Sequence, residues 1–458
     1  AITTRYPDAF PVFTYARNAD VRRRLFLEFQ NRAYPKNVVV LEQLLAKRHE
    51  LATLLGYDHW ASYITEDKMI GSAKAAADFI EKITQAAENR VHSDLGTLLE
   101  RKRKDVPDAA RIEQWDVRYY TELVKSERYT VDSRALRPYF QFERVRDGIF
   151  LITSKLFGVR YKRVRGVPVW HESVEVYDIY ERDRRLGRFY LDLHPREGKF
   201  SHAAASGVTV GLKSRQVPQA LLMCNFPDPR TTKGPALMEH TDVATFFHEF
   251  GHLLHAIFSG QRKWVKNTGF NIEWDFVEAP SQMLEEWIRR PEGLRLFAGH
   301  HETGEPIPEA LVKRMESADA VARGLGVRRQ MFLAALSLSY YDRDAKGMDM
   351  TEFAKALNQK YYPVPWAEGT HFECNFEHLN DYSAIYYTYM WSLVIAKDLF
   401  SRFARGKSIM GASTARRYRK TILEPGSVRP AAALVRDFLG RAPSFDAYAK
   451  WLNEMPGT

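Results

Sequence analysis

The stretch HTDVATFFHEFGHLLHAIFSG, from His240 to Gly260, sets Val243, Phe246, Phe247, Phe250, Leu253, Leu254, Ile257 and Phe258 almost all the way round one helix. A helix without a polar face has to be enclosed by other elements, so the fold must supply neighbours on every side of it. Thr241 or Asp242 suits the N-terminal cap of this helix, and Gly260 suits its end.

At its centre the helix reads HEFGH, His248 to His252. Residues four apart lie on one helix face, so both imidazoles can point at one cation. Glu249 sits one step round the helix. It cannot join them as a ligand, but it can reach the water that such a metal activates, which is the arrangement of the zinc peptidases. With 14 histidines and 57 acids in 458 residues, chance produces this pattern roughly a few times in a hundred such chains. Burial decides for the metal, because enclosed His and Glu side chains are costly unless a cation compensates them. Gly251 costs about 1 kcal/mol relative to Ala inside a helix, so another element is expected to approach closely there.

A third histidine at the offsets used by some zinc peptidases is missing, because His255 and Phe258 occupy the relevant places. His255 reads as a hydrogen-bonded neighbour of the site or as a core residue. A glutamate from a following helix is the other solution, and DFVEAPSQMLEEW offers Glu278, Glu285 and Glu286. Glu278 is the choice, since it lies beside Phe276 and Val277, whereas the pair Glu285 and Glu286 reads as a solvated face. The expected cofactor is one zinc ion per chain.

From about Asp20 to Lys162 apolar residues recur at helical spacing, as in VVVLEQLLAKRHELATLLG, where Gly56 suits a helix end. The period changes between Val167 and Phe226. There VEVYDIYE and RFYLDL read as a hairpin linked by RRLG, and ALLMCNF as a third strand. After Glu239 the pattern is helical again. The chain has no run of about 18 apolar residues, which excludes a helical membrane span. Its net charge of +10 is diffuse, so no nucleic-acid surface is read from it. Two cysteines, Cys224 and Cys374, exclude a disulfide framework and favour the cytoplasm. The first residues, AITTRYPDAF, contain no initiator Met and no apolar signal core, so an upstream segment is expected to have been removed.

The segments TFFHEFGHLLH and DFVEAPSQMLEEW resemble the two zinc-binding segments of the thimet oligopeptidase, neurolysin and oligopeptidase A family. GRFYLDLHPREGKFSHAA, LGYDHWASYITEDKMI, WDVRYYTELVKSERYTVD and HLNDYSAIYYTYMWS extend the resemblance over nearly the whole chain. It implies His248, His252 and Glu278 as zinc ligands and Glu249 as catalytic base. The implied fold is mainly α, a large helical ellipsoid with a deep substrate channel and one small β-sheet beside the motif helix. Residues 1–165 would form a helical part of the channel wall, and 166–458 the catalytic region. Two departures stand out: the family's helical block upstream of TRYPDAFPVF is absent, and the loop after His378 is one residue shorter, with Asn380 and Asp381 where the family has a glycine-rich turn.

Tyr382, Tyr386 and Tyr389 fall at i, i+4 and i+7, which places three hydroxyls along one helix face. Spacing alone favours a structural aromatic stripe. The resemblance instead implies that His378, Tyr382, Tyr386 and Tyr389 line the channel opposite the zinc, with Tyr389 and His378 aiding catalysis and Tyr382 and Tyr386 binding substrate. The expected activity is endopeptidase cleavage of short peptides, with no nucleic-acid or membrane partner and a monomeric state, an N-terminal segment being the one expected protein associate. Two alternatives are a peptidyl-dipeptidase, for which no sequence position identifies the basic group it would use, and a peptide-binding protein without turnover.

Overall fold

Helix starts follow from local capping chemistry: Asn18 accepts from the backbone of Asp20 and Val21, Ser72 from Ala75, and Asp349 from Glu352. The helix Lys36–Leu54 stops ahead of Gly56, which adopts φ +88° as expected of a terminating glycine. The computed structural model describes residues 2–131 and 133–455. Its architecture is mainly α, with one five-stranded sheet.

Two compact units are present. The first is Ala1–Thr130, Ser317–Met390 and Ala449–Thr458, and the second is Val131–Glu316 and Trp391–Tyr448. The sequence pattern had divided the chain near residue 165, where the hydrophobic period changes. The helix Phe142–Phe157 nevertheless belongs with the sheet, because Phe150 packs its ring against Tyr161, Tyr177 and Phe189.

The strands are β1 Arg160–Val164, β2 Glu175–Glu181, β3 Arg184–Asp192, β4 Ala204–Thr209 and β5 Gln219–Met223, in spatial order β1-β2-β3-β5-β4. The hairpin β2-β3 forms as expected, but RRLG is not its link. The turn lies at Arg182 and Asp183, with Arg182 at φ +51°, and RRLG opens β3. Gly187 serves packing instead: a Cβ there would lie 2.7 Å from Ile257 of the motif helix. The third expected strand is β5, which runs parallel to β3. β1 and β4 were not legible, since RYKRV and AASGVT are largely exposed and carry few apolar residues to alternate.

The motif helix spans His240–Ser259 and is buried from Glu249 through Ser259. Its cap is Glu239, not Thr241 or Asp242. The Glu239 side chain accepts from the backbone of Asp242 while Asp242 accepts from the Glu239 backbone at 3.0 Å, and Gly260 closes the helix. Phe250 carries the helix onto the sheet through Phe189 and Tyr161.

Candidate metal centre

His248 and His252 of the motif helix meet the first residue of the helix Glu278–Leu284. Glu278 Oε2 lies 3.0 Å from Nε2 of both His248 and His252. Ligand atoms bound at 2.0–2.2 Å in a tetrahedron stand about 3.3 Å apart, so this donor set fits a zinc-sized cation. Gly251 makes the approach possible. A Cβ at that position would lie 2.6 Å from Ser281 Cα and 3.0 Å from Pro280 O, which is the close neighbour its place in the helix called for. Ser281 Oγ donates to Glu278 Oε2 at 3.2 Å, leaving the carboxylate fixed in orientation.

Electrostatics pull the trio together. Burial disfavours the charged form of His248, but hydrogen bonds and charge from Glu278 and Glu285 outweigh it and hold its pKa well above the usual value. Burial likewise disfavours the Glu278 carboxylate, yet His252 and His248 hold its pKa well below the usual range. A bound cation would compete with these protons, because both imidazoles must be neutral to ligate it.

Glu285 and Glu286 are not a solvated face. Glu285 Oε1 accepts from His248 Nδ1 at 2.8 Å, and its other oxygen accepts from Arg289 at 3.1 Å. That contact fixes the ring so that Nε2 faces Glu278. Glu286 is 4% exposed and pairs with Lys397. Adjacent acids on a short helix gave no signal of burial; the partners Arg289 and Lys397 lie four and over a hundred positions away. His252 Nδ1 is buried without a hydrogen-bond partner.

Glu249 is buried beside the trio without contributing an atom to it. Burial raises its pKa against the opposing pull of His252 and His248, and the backbone N–H of Ala205 on β4 hydrogen-bonds to it. His255 is a core residue, 1% exposed, and burial together with the His252 charge pushes its pKa down to about 3. A second close group, His300, His301 and Glu302, consists of consecutive residues, none of them buried, and sequence reasoning had not singled it out.

His378 and the three tyrosines belong to the first unit and cluster among themselves. His378 Nε2 lies 3.1 Å from the Tyr389 hydroxyl, and its ring packs on Tyr382 and Tyr386 at 5.4 and 4.9 Å. They do not share one helix face. The helix His378–Asp381 ends before Tyr382, and the next, Thr388–Ala404, begins after Tyr386. Between them Ser383 takes φ +48°, a left-handed conformation that a glycine adopts freely and a serine does not. It is held there by Trp60 Nε1 donating to Ser383 Oγ at 3.0 Å and Ser337 Oγ donating to Ser383 O at 2.5 Å. The shortened loop is thus a fixed turn.

The family model described as Peptidase family M3 matches residues 12–454. Oligopeptidase A of Escherichia coli (strain K12) is 32% identical over 463 residues, covering 97% of this chain and 68% of that protein. Dipeptidyl carboxypeptidase of the same organism is 28% identical over 445 residues, covering 94% of this chain and 65% of its own length. The chain therefore spans about two thirds of these relatives. A solved structure of PZ peptidase A with an inhibitor has a TM-score of 0.61 at 15% identity, covering 97% of this chain and 71% of that one, a likeness of fold.

Proposed function

Since the chain belongs to peptidase family M3 and is a metallopeptidase, we propose that it is a zinc-dependent endopeptidase of short oligopeptides in which His248, His252 and Glu278 hold one zinc ion. The observation that carries this is the convergence of both Nε2 atoms on one buried carboxylate oxygen at 3.0 Å. A bound zinc supplies Lewis-acid polarisation of the scissile carbonyl and activation of the attacking water.

Glu249 acts as the general base, taking the proton of the attacking water and handing it to the departing amine. Burial raises its pKa and so makes it a better proton acceptor, and the Ala205 N–H keeps the carboxylate oriented. Glu285 positions His248 and does not touch the reaction. Tyr389, with His378 hydrogen-bonded to its hydroxyl, donates to the oxyanion, while Tyr382 and Tyr386 bind substrate backbone. The family resemblance and their mutual contacts support these roles. Free, buried Cys224 and Cys374 suit the reducing interior of a cytoplasmic protein. Among the described residues no helix is long and apolar enough to cross a membrane.

Peptidyl-dipeptidase action is the second reading, favoured by the relationship to dipeptidyl carboxypeptidase. One experiment tests both. Quenched peptides and their unlabelled counterparts are incubated with enzyme as purified, chelator-treated, and chelator-treated with zinc restored, and products are mapped by mass. Internal cleavage that disappears on chelation and returns with zinc supports the endopeptidase. Release of C-terminal dipeptides alone supports the second reading, and cleavage indifferent to chelator refutes both.

A further inference from the structure

Four cations from separate stretches of the second unit line one cavity of about 230 Å³. They are Arg184, which opens β3; Lys213, between β4 and β5; Arg262, just past the motif helix; and Arg419, after the helix Ala412–Tyr418. Backbone contacts hold these stretches together. The Lys213 N–H donates to Arg262 O at 2.9 Å, and Gly211 packs so closely on Gly260 that a Cβ there would overlap its backbone. Gln261 Nε2 donates to Leu186 O at 2.9 Å, which ties the same loop to β3 two residues from Arg184. Buried Leu186 and Phe258 supply the apolar part of the wall.

The acids at this cavity are already engaged. Glu181 accepts from Arg184 at 2.9 Å and lies 2.8 Å from Arg419 Nη1, and Glu424 lies 2.9 Å from Arg419 Nε. Among the described residues none accepts from the Arg262 guanidinium or the Lys213 ammonium, and Arg262 Nε is buried without a hydrogen bond. Four other arginines bury such an Nε: Arg137, Arg290, Arg323 and Arg419. Each of those has a carboxylate close by, at 3.4, 3.8, 3.3 and 2.8 Å. Arg262 has none. A buried guanidinium nitrogen without an acceptor is costly, and a bound anion would satisfy it.

Four cations against two carboxylates leave a surplus of two positive charges on a concave wall, which focuses the field on the cavity. That surplus matches a phosphate group, which brings about two negative charges and three acceptor oxygens at neutral pH, whereas a carboxylate or chloride brings one charge. The fork of Arg262 can serve two of those oxygens and the Lys213 ammonium a third.

We propose that Arg184, Lys213, Arg262 and Arg419 form a binding site for phosphate, free or carried by a small molecule, with Arg262 and Lys213 as its direct donors. The site does not depend on the peptidase reading given above. It begins two residues past Gly260, so an occupied site braces the end of the helix that carries His248 and His252.

The test is calorimetry on the zinc-loaded full chain with inorganic phosphate and with glycerol phosphate, each against sodium chloride at matched ionic strength. At least one phosphate ligand should bind with Kd below about 1 mM, and chloride should not reproduce the heat. Arg262→Gln/Lys213→Gln should weaken binding by about tenfold or more, while zinc content and peptide turnover in phosphate-free buffer stay within about twofold. Lys213→Glu changes a single exposed side chain, should weaken binding as much, and decides the matter if the double variant does not fold. Lys263→Gln removes a neighbouring charge that sits over Trp264 and not in the cavity, and should leave Kd within about twofold. Glycerol phosphate bound about tenfold tighter than inorganic phosphate identifies a phosphomonoester ligand, and comparable affinities identify free phosphate. Absence of binding, binding that survives these substitutions, or an equal loss in Lys263→Gln overturns the site.

Discussion

Gly251→Ala should loosen the metal centre from a position that touches no ligand. The added Cβ would lie 2.6 Å from Ser281 Cα, 3.0 Å from Pro280 O and 3.2 Å from Ser281 N. All three are backbone atoms, so no rotamer relieves the overlap. Carbon–carbon contacts settle at about 3.5–4.0 Å, which requires the helix Glu278–Leu284 to retreat by about 1 Å. Alanine gains about 1 kcal/mol of helix propensity over glycine. Overpacking costs about 3 kcal/mol where backbone must move, leaving a net loss of about 2 kcal/mol. The same retreat carries Glu278 away from both imidazoles, and metal bonds near 2.0–2.2 Å do not stretch to follow, so zinc affinity should fall by about tenfold or more. Urea midpoints of the apo proteins read the first effect, and zinc competition against a chromogenic chelator reads the second. A variant as stable as the parent, with zinc affinity within about twofold of it, would refute the close approach and the reasoning built on it.

Glu285→Gln should retain the fold but weaken zinc binding by about 10–100-fold, because the His248 ring loses its charged anchor; titration with the same chelator checks this. Tyr389→Phe should lower kcat by about a hundredfold while KM changes little, and an unchanged kcat leaves Tyr389 a packing residue of the cluster around His378. Asp192, at the end of β3, is buried, but hydrogen bonds from Arg196, Trp170 and Lys199 outweigh that burial and hold its carboxyl below the usual range. A depressed carboxylate pKa stabilises the fold fully above the unfolded value and loses that contribution as pH falls through the folded one. Asp192→Asn should therefore cost about 3 kcal/mol near pH 7, with the deficit shrinking below about pH 4 in denaturation curves recorded across that range.

The motif helix, its end at Gly260 and the meaning of Gly251 were legible because each follows from local rules: an apolar circumference, a terminating glycine, a glycine inside a helix. Glu278 was legible because apolar neighbours marked it for burial, and it is 3% exposed. The same rule failed for Glu285 and Glu286, whose burial depends on His248 and Lys397, partners that a window of a few residues does not contain. RRLG looked like a turn because glycine serves both loops and close packing, and only Ile257, seventy residues away, distinguishes the two. The tyrosine face was misread as one helix since period alone does not reveal the turn at Ser383, which Trp60 and Ser337 hold from distant helices.

The account turns on Glu249 being a base and not a ligand, and Glu249→Gln separates the two roles in one sample. Amide replaces carboxylate at nearly constant shape, so His248, His252 and Glu278 should still hold zinc at one ion per chain while turnover of a quenched peptide falls by at least about a hundredfold. Metal content by elemental analysis and kcat/KM are measured on the same preparation. Full zinc with lost turnover is the predicted result. Turnover near that of the parent, or zinc lost together with activity, would contradict the assignment.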